Sequence, residues 1–190
     1  MVPSSAIPPF RPPNRKPQMT SATAPREPAQ YVTIGIDREV FAIEVAIVRE
    51  ILDLQPITRL PHAPSFLVGM IDVRGQGVPT VDLRVKLGLP AAQPTANTRI
   101  VVLDVPQRGQ SITVGVIADR VFEVTSLDER GLETPPQVGG RWRSDCIQAI
   151  GRSNGTFVIV FDIARLFAED DVALLDTADG MAGLMADGVS

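Results

Sequence analysis

Short runs of apolar and β-branched residues, separated by turn-forming residues, fill the chain from residue 31 to residue 168. Runs of this length that recur about every 8 to 12 residues are typical of small barrels and sandwiches. The predicted strands are 31–36, 40–43, 68–73, 78–83, 100–105, 112–118, 121–124, 147–151 and 156–161. The pattern therefore predicts a mainly β fold.

Three pairs of these runs flank turn-forming residues, which predicts three hairpins. The turns are Arg74-Gly75-Gln76-Gly77, 106–109 and Ser153-Asn154-Gly155, of which the last contains the Asn-Gly pair that hairpins favour. The first of them is not a phosphate-binding loop, because it lacks a third glycine and a following helix. Its glycines are interpreted instead as residues that allow positive φ.

Helical patterns are few. Segment 44–54 carries apolar residues close to helical spacing, which predicts one or two helical turns with an apolar stripe. The stripe consists of Val45, Val48, Ile51 and Leu52. Asp162 is placed to cap a short helix that runs to Phe167, and Asp170 with Asp171 to cap a further helix near the C-terminus.

The charge divides the chain into three parts. Residues 1–30 hold eight of the 17 prolines and a net charge of +3, which predicts a disordered, extended arm. Residues 31–168 carry −1 and form the predicted folded domain, and residues 169–190 carry −6 and form an acidic, partly helical tail. The prolines interrupt any signal-peptide core, and no apolar run reaches the roughly 20 residues that span a bilayer.

Single copies of the reactive residues exclude several functions. With one His and one Cys, the chain alone cannot build a Cys/His zinc site or a disulfide framework, and a lone thiol suits a reducing cytoplasm. An enzyme would have to use His62, which lies between prolines without a nucleophile motif, or Cys146, which is typical of a small buried hydrophobe. Near-neutral charge and 5% aromatic residues disfavour a nucleic-acid module. The composition therefore favours a binding module without catalytic residues, metal or cofactor.

Other features have two interpretations each. The stripe of Val45, Val48 and Ile51 either packs in the core or forms a partner-facing patch. Arg141-Trp142-Arg143, which follows two glycines, is either a binding loop or a loop whose Trp packs on the barrel. Five aspartates near strand ends are interpreted as turn and cap residues rather than as paired catalytic carboxylates. They are Asp72, Asp82, Asp104, Asp119 and Asp162.

Three segments then carry a family resemblance. Residues 57–61, 64–75 and 78–84 are similar to the signature "P-x-F-hydrophobic-x-G-hydrophobic-x-N-L-R-G … P-V-x-D-L-R" of the CheW family of chemotaxis coupling proteins. Residues 48–51 resemble its V-x-E-I, and 114–121 its V-G-x-x-V-D-x-V strand. Residues 158–166 are similar to its closing strand and helix, and 172–176 to its acidic, apolar tail. The resemblance covers about three-quarters of the chain and leaves the N-terminal arm outside.

The resemblance implies two SH3-like, five-stranded β-barrel lobes with short helices, a C-terminal helix and a hydrophobic junction. It implies a non-catalytic adaptor that couples methyl-accepting chemoreceptors to the histidine kinase CheA, in the cytoplasm at membrane-associated receptor arrays. The implied partners are the regulatory domain of a CheA-type kinase and the cytoplasmic tip of the chemoreceptors. Nucleic acid and direct membrane insertion are not expected. An alternative is a CheW-like coupler of a non-flagellar pathway such as surface sensing, motility or development.

The resemblance also assigns site residues. Val32, Val45, Val48 and Ile51 match family positions at the hydrophobic kinase contact. Glu50, Gly69 and Arg74 match positions tied to receptor binding, where a glycine lets a receptor helix approach closely. Three signature positions differ: Asp72 replaces the Asn, Thr80 replaces the Val of the P-V motif, and Ala118 replaces the Val before the retained Asp119. The new carboxylate is expected either to pair with Arg74 or to alter a partner contact.

Overall fold

The computed structural model describes residues 29–107, 109–127, 131–134 and 146–167, together with residues 171 and 175. These residues are mainly β, as predicted. The strands are β1 Gln30–Ile36, β2 Glu39–Glu44, β3 Val48–Asp53, β4 Leu67–Val73, β5 Gln76–Asp82, β6 Arg99–Gln107, β7 Gln110–Ala118, β8 Arg120–Ser126, β9 Ile147–Ser153 and β10 Thr156–Phe161. The helices are α1 Leu83–Lys86 and α2 Ile163–Leu166, and Val45–Ile47 forms a 3₁₀ turn. The predicted arm, the 141–143 loop and nearly all of the tail lie outside the described residues.

Two five-stranded sheets form two lobes. Lobe 1 has the strand order β8-β1-β2-β10-β9, and lobe 2 has the order β3-β6-β7-β5-β4. Neighbouring strands are antiparallel except for the parallel pairs β2–β10 and β5–β7. All of lobe 2 lies in sequence between β2 and β8, so it is an insertion into lobe 1. This arrangement confirms the two predicted five-stranded lobes.

Each sheet curls until its edge strands come close. In lobe 2, Thr58 follows edge strand β3 and pairs with Met70 of edge strand β4 through two reciprocal backbone hydrogen bonds of 2.8 Å. In lobe 1, Glu133 follows edge strand β8 and pairs with Ile150 of edge strand β9 at 2.8 and 2.9 Å. These bridges join the two edges of each sheet, which blunts edges that would otherwise offer unpaired backbone groups.

Two of the predicted hairpin turns are present and shorter than expected. Arg74 and Gly75 join β4 to β5 with φ values of 56° and 85°, and Asn154 and Gly155 join β9 to β10 with φ values of 50° and 80°. Positive φ at both central residues matches the twist of the flanking strands. The third hairpin, β6–β7, is also confirmed, with Gln107 paired to Gln110.

One apolar core joins the lobes. Alternate residues of β1 (Val32, Ile34 and Ile36) and of β6 (Val101, Leu103 and Val105) point into it, and every one of them is buried. Ile163, Leu166 and Phe167 of the α2 region complete it. Each such side chain contributes about 1.5–3 kcal/mol relative to exposure. The predicted hydrophobic junction is therefore confirmed, and smaller clusters fill the interior of each lobe.

The predicted helical turns over 44–54 are wrong. The segment forms the 3₁₀ turn Val45–Ile47 followed by β3, which pairs antiparallel with β6. Half-buried and exposed residues alternate along β3, and its pairing with β6 shifts register between Val48 and Glu50. The pairing with β6 outweighs the weak helical spacing because it satisfies the backbone groups of both strands.

The strand-end aspartates act mainly as cap and turn residues, as predicted. Asp82 begins α1 and accepts hydrogen bonds from the backbone N–H of Arg84 and Val85. Asp162 caps α2 by accepting from the N–H of Arg165 at 3.0 Å, which confirms the predicted helix start. Such caps stabilise a helix by about 1 kcal/mol each.

Candidate partner-binding surface

The predicted kinase-contact residues cluster where the chain enters β3. A bulge in β3 at Arg49 sets two residues opposite one of β6, because Val48 pairs with Leu103 while Glu50 pairs with Val102. Val48 and Ile51, three residues apart, therefore lie on the same face of the strand. The apolar stripe inferred from helical spacing exists, but a bulged strand carries it.

This stripe continues the interlobe core outward. Val45 and Val48 are half-buried and pack against the core, whereas Ile51 is 42% exposed. Val32 is only 3% exposed and lies in the core itself. We call Val45, Val48 and Ile51 the β3 face, which Val32 supports from within the core.

Two of the predicted receptor-contact residues meet beside this face. Arg74 Nη2 donates to Glu50 Oε2 at 3.0 Å, and the side chains are 81% and 19% exposed respectively. The ion pair joins edge strand β3 to the β4–β5 turn. Because Arg74 is so exposed, the pair adds little to stability, and the guanidinium keeps donors that face solvent.

Gly69, the third predicted receptor-contact residue, is buried at a bulge in β4. A Cβ at this position would overlap the carbonyl oxygen of Thr58 and lie 2.8 Å from its carbonyl carbon. Its φ of 154° also favours glycine. The close approach that this glycine allows within the chain is therefore to the backbone of Thr58.

Of the two alternatives for Asp72, the ion pair with Arg74 is not formed. Asp72 Oδ1 instead accepts the backbone N–H of Gly75 at 2.6 Å, and Arg74 pairs with Glu50. The carboxylate thus stabilises the β4–β5 turn by accepting an N–H from the residue three positions further on. An Asn at position 72 has a carbonyl oxygen that can accept the same bond. Thr80, the second departure, is fully buried on β5.

His62 and Cys146, the two residues considered for catalysis, lie in different surroundings. His62 is exposed in a turn with φ of 59°. Cys146 is fully buried in the interlobe core, where its Sγ lies 3.6 Å from the carbonyl oxygen of Arg165. Its predicted role as a small buried hydrophobe is confirmed. Within the described part of the chain, no three His, Cys, Asp or Glu residues are grouped to hold a metal.

Three apolar side chains on lobe 1 are exposed and were not identified in the sequence. Phe122, Val124 and Phe157 are each at least 50% exposed. The guanidinium of Arg120 lies 5.3 Å from the Phe122 ring centroid, and that of Arg152 lies 4.4 Å from the Phe157 ring. The sequence pattern gave no signal for them, because an exposed aromatic residue looks like a core residue in such a pattern.

The described residues form no helix long and apolar enough to cross a membrane. The molecule they define is a double-lobed β protein with a partly exposed apolar face beside an exposed ion pair. Residues 30–171 match the model of the CheW-like domain, so the chain belongs to the CheW family, a family of chemotaxis scaffold proteins.

Relatives and a solved structure agree with this membership. The chain is 28% identical over 147 residues to the chemotaxis protein CheW of Klebsiella aerogenes, covering 77% of this chain and 86% of that protein. It is 25% identical over 142 residues to the chemotaxis protein CheW of Rhizobium meliloti, covering 75% and 89%. The crystal structure of the scaffolding protein TtCheW from Thermoanaerobacter tengcongensis matches with a TM-score of 0.67 at 26% identity, covering 76% of this chain and 91% of that one.

Proposed function

We propose that the chain is a non-catalytic adaptor in the cytoplasm that couples methyl-accepting chemoreceptors to a CheA-type histidine kinase. The observation that carries the proposal is the β3 face, an apolar surface continuous with the interlobe core and adjacent to the Glu50–Arg74 ion pair. An apolar contact beside an exposed polar pair can hold two different partners on neighbouring surfaces.

The β3 face is the proposed contact for the regulatory domain of the kinase. Ile51 contributes the exposed apolar area, and burying what remains exposed would add about 1 kcal/mol. Val45 and Val48 are β-branched and already half-buried, so they lose little conformational freedom on binding. Val32 acts from beneath by supporting the face, because it has almost no exposed area of its own.

Glu50, Gly69 and Arg74 are proposed to contact the cytoplasmic tip of the receptor. Arg74 is held on a two-residue turn, and its exposed guanidinium can bind a carboxylate on a receptor helix. Gly69 contributes by setting the course of β4 beside Thr58. Coupling then means that receptor state changes the free energy of the kinase contact through the shared scaffold.

The same surfaces would serve a flagellar or a non-flagellar chemosensory pathway. The choice of pathway depends on which receptors and which kinase bind these surfaces. The chain reaches the membrane by binding receptors in the array rather than by inserting into the bilayer.

A titration calorimetry experiment with the kinase regulatory domain tests the proposed contact. We expect one-to-one binding by the full chain and a loss of at least about tenfold in affinity for Ile51→Asp, because a buried unpaired charge is costly. Phe157→Asp is the matched control, since it places the same charge on an exposed residue of lobe 1. Equal affinity of wild type and Ile51→Asp would contradict this assignment.

Val48→Asp is a stronger but less specific perturbation. It is expected to abolish kinase binding, and because Val48 packs against the core, it also removes stability. Circular dichroism must therefore show a folded variant before its affinity is interpreted. Ile51→Asp remains the decisive variant because Ile51 is the most exposed residue of the β3 face.

A further inference from the structure

Within residues 29–127, apart from residue 108, the chain passes between the two sheets at two points. It leaves lobe 1 through the 3₁₀ turn Val45–Ile47, and it returns through Asp119, the one residue between β7 and β8. The backbone N–H of Asp119 donates to the carbonyl oxygen of Gly35 in β1 at 3.1 Å. Any rotation of one lobe against the other would have to be absorbed at these two crossings.

Arg84 bridges the lobes at the second crossing. It belongs to α1 of lobe 2, and its Nη1 donates to Asp119 Oδ2 at 2.6 Å. Its Nη2 donates to Asp37 Oδ1 at 3.1 Å, in the β1–β2 turn of lobe 1. Asp37 in turn donates its backbone N–H to Asp119 Oδ2 at 2.7 Å. We call Asp37, Arg84 and Asp119 the interlobe clamp.

Arg84 is the least exposed member of the clamp, whereas Asp37 is 46% and Asp119 30% exposed. The Arg84 side chain is only 13% exposed, and its Nε also donates to the carbonyl oxygen of Pro90 at 3.1 Å. Burial alone would lower the pKa of Arg84, but the hydrogen bonds and charges of Asp119 and then Asp37 outweigh it and raise that pKa. The guanidinium therefore stays charged while it holds both carboxylates.

The clamp differs in kind from the apolar junction. Apolar burial holds the lobes together but has no preferred direction. A guanidinium presents donors in a planar, fixed fork, so two carboxylates on separate elements are held at a defined angle. The junction thus supplies cohesion, while the clamp can supply orientation.

We propose that Arg84 is a positioning residue that fixes the angle between the two lobes and thereby the shape of the β3 face at the other crossing. Val45 and Ile47 of the first crossing pack on the same core that the clamp borders, so a change of angle at Asp119 must displace them. This last step rests on the proposed kinase contact, whereas the effect on lobe orientation does not.

Residual dipolar couplings of the full chain in solution test the orientation directly. In the wild type, both lobes should fit one alignment tensor with the geometry described above. In Arg84→Gln, which removes the charge and keeps most of the side-chain length, the lobes should require different tensors. Arg84→Lys should restore the wild-type lobe alignment only in part, because an ammonium group cannot hold both carboxylates in a fork.

Arg99→Gln is the matched control, because Arg99 pairs with Asp53 at 3.3 Å entirely within lobe 2. It should keep the wild-type alignment. If Arg84→Gln does not fold, Asp37→Asn removes one arm of the clamp and leaves the other, and it should shift the alignment in the same direction. A single wild-type tensor in every folded clamp variant would overturn the proposal.

Affinity for the kinase regulatory domain tests the last step. Arg84→Gln should lower it by about tenfold, a change typical of residues that act on a site without touching it. Altered lobe alignment with unchanged affinity would overturn the link to the β3 face. Altered alignment together with a wild type that does not bind the kinase would support the orienting role and refute the proposed function instead.

Discussion

Replacing Gly69 with alanine adds one atom, the Cβ, beside the Thr58–Met70 bridge that joins the edges of the lobe 2 sheet. The added Cβ would overlap the carbonyl oxygen of Thr58, so the segment that carries Thr58 has to move away from β4. That movement breaks the two reciprocal 2.8 Å hydrogen bonds between Thr58 and Met70. It also forces a residue with a side chain into a φ of 154°.

The two effects can be estimated separately. An L residue held at a sparsely populated positive φ costs about 1–3 kcal/mol. Each lost backbone hydrogen bond costs about 0.5–1.5 kcal/mol net. We therefore expect Gly69→Ala to lower the free energy of unfolding by about 3 kcal/mol, a large share of the stability of a typical domain.

Gly75→Ala is the matched control because Gly75 also has positive φ, at 85°, but a Cβ there meets no atom within 4 Å. It should cost only about 1 kcal/mol. Urea unfolding followed by far-ultraviolet circular dichroism measures both variants. If Gly69→Ala is no less stable than Gly75→Ala, the contribution of the Thr58–Met70 bridge to stability is refuted.

The same geometry affects an experiment on receptor binding. Gly69→Asp is expected to weaken receptor binding more than kinase binding if the two surfaces are separate. Its side chain would meet the same backbone as alanine does, so this variant also loses stability. Its affinities are informative only at a temperature where the variant is fully folded.

Three further outcomes are expected. Asp72→Asn should change the free energy of unfolding by less than about 0.5 kcal/mol, because the amide oxygen can accept the N–H of Gly75; urea unfolding checks this, and a larger loss would show that the charge matters. A double-mutant cycle of Glu50→Ala and Arg74→Ala should give a coupling below about 1 kcal/mol for folding, since the pair is exposed; a larger coupling would contradict that estimate. Cys146 should react with a thiol reagent only as fast as the protein opens, and rapid labelling of the native protein would contradict its burial.

Local sequence chemistry predicted the parts of the fold that depend on neighbouring residues. The Asn154-Gly155 turn and the Asp162 cap follow from φ preferences and short-range hydrogen bonds. The prediction of helical turns failed at Val48 and Ile51, because a bulge at Arg49 lets a strand place residues three apart on one face. Periodicity alone cannot distinguish such a strand from a helix.

Long-range features were beyond the sequence pattern. The parallel pairings β2–β10 and β5–β7 join segments far apart in the chain, and nothing local to either segment specifies the partner. The interlobe clamp was missed for the same reason, although Asp119 was singled out as a strand-end aspartate. Asp72 and Arg74 lie close in sequence, which suggested an ion pair as one of two alternatives, but the turn directs the two side chains to other partners.

Kinase activity in a reconstituted mixture tests the adaptor function most directly. The mixture combines the full chain, a CheA-type kinase and receptor cytoplasmic fragments from the same organism, and the rate of kinase autophosphorylation is measured with and without the chain. The proposed function predicts that receptor-dependent activation requires the chain and is lost with Ile51→Asp but kept with Phe157→Asp. Receptor-dependent activation that is equal with and without the chain would contradict it.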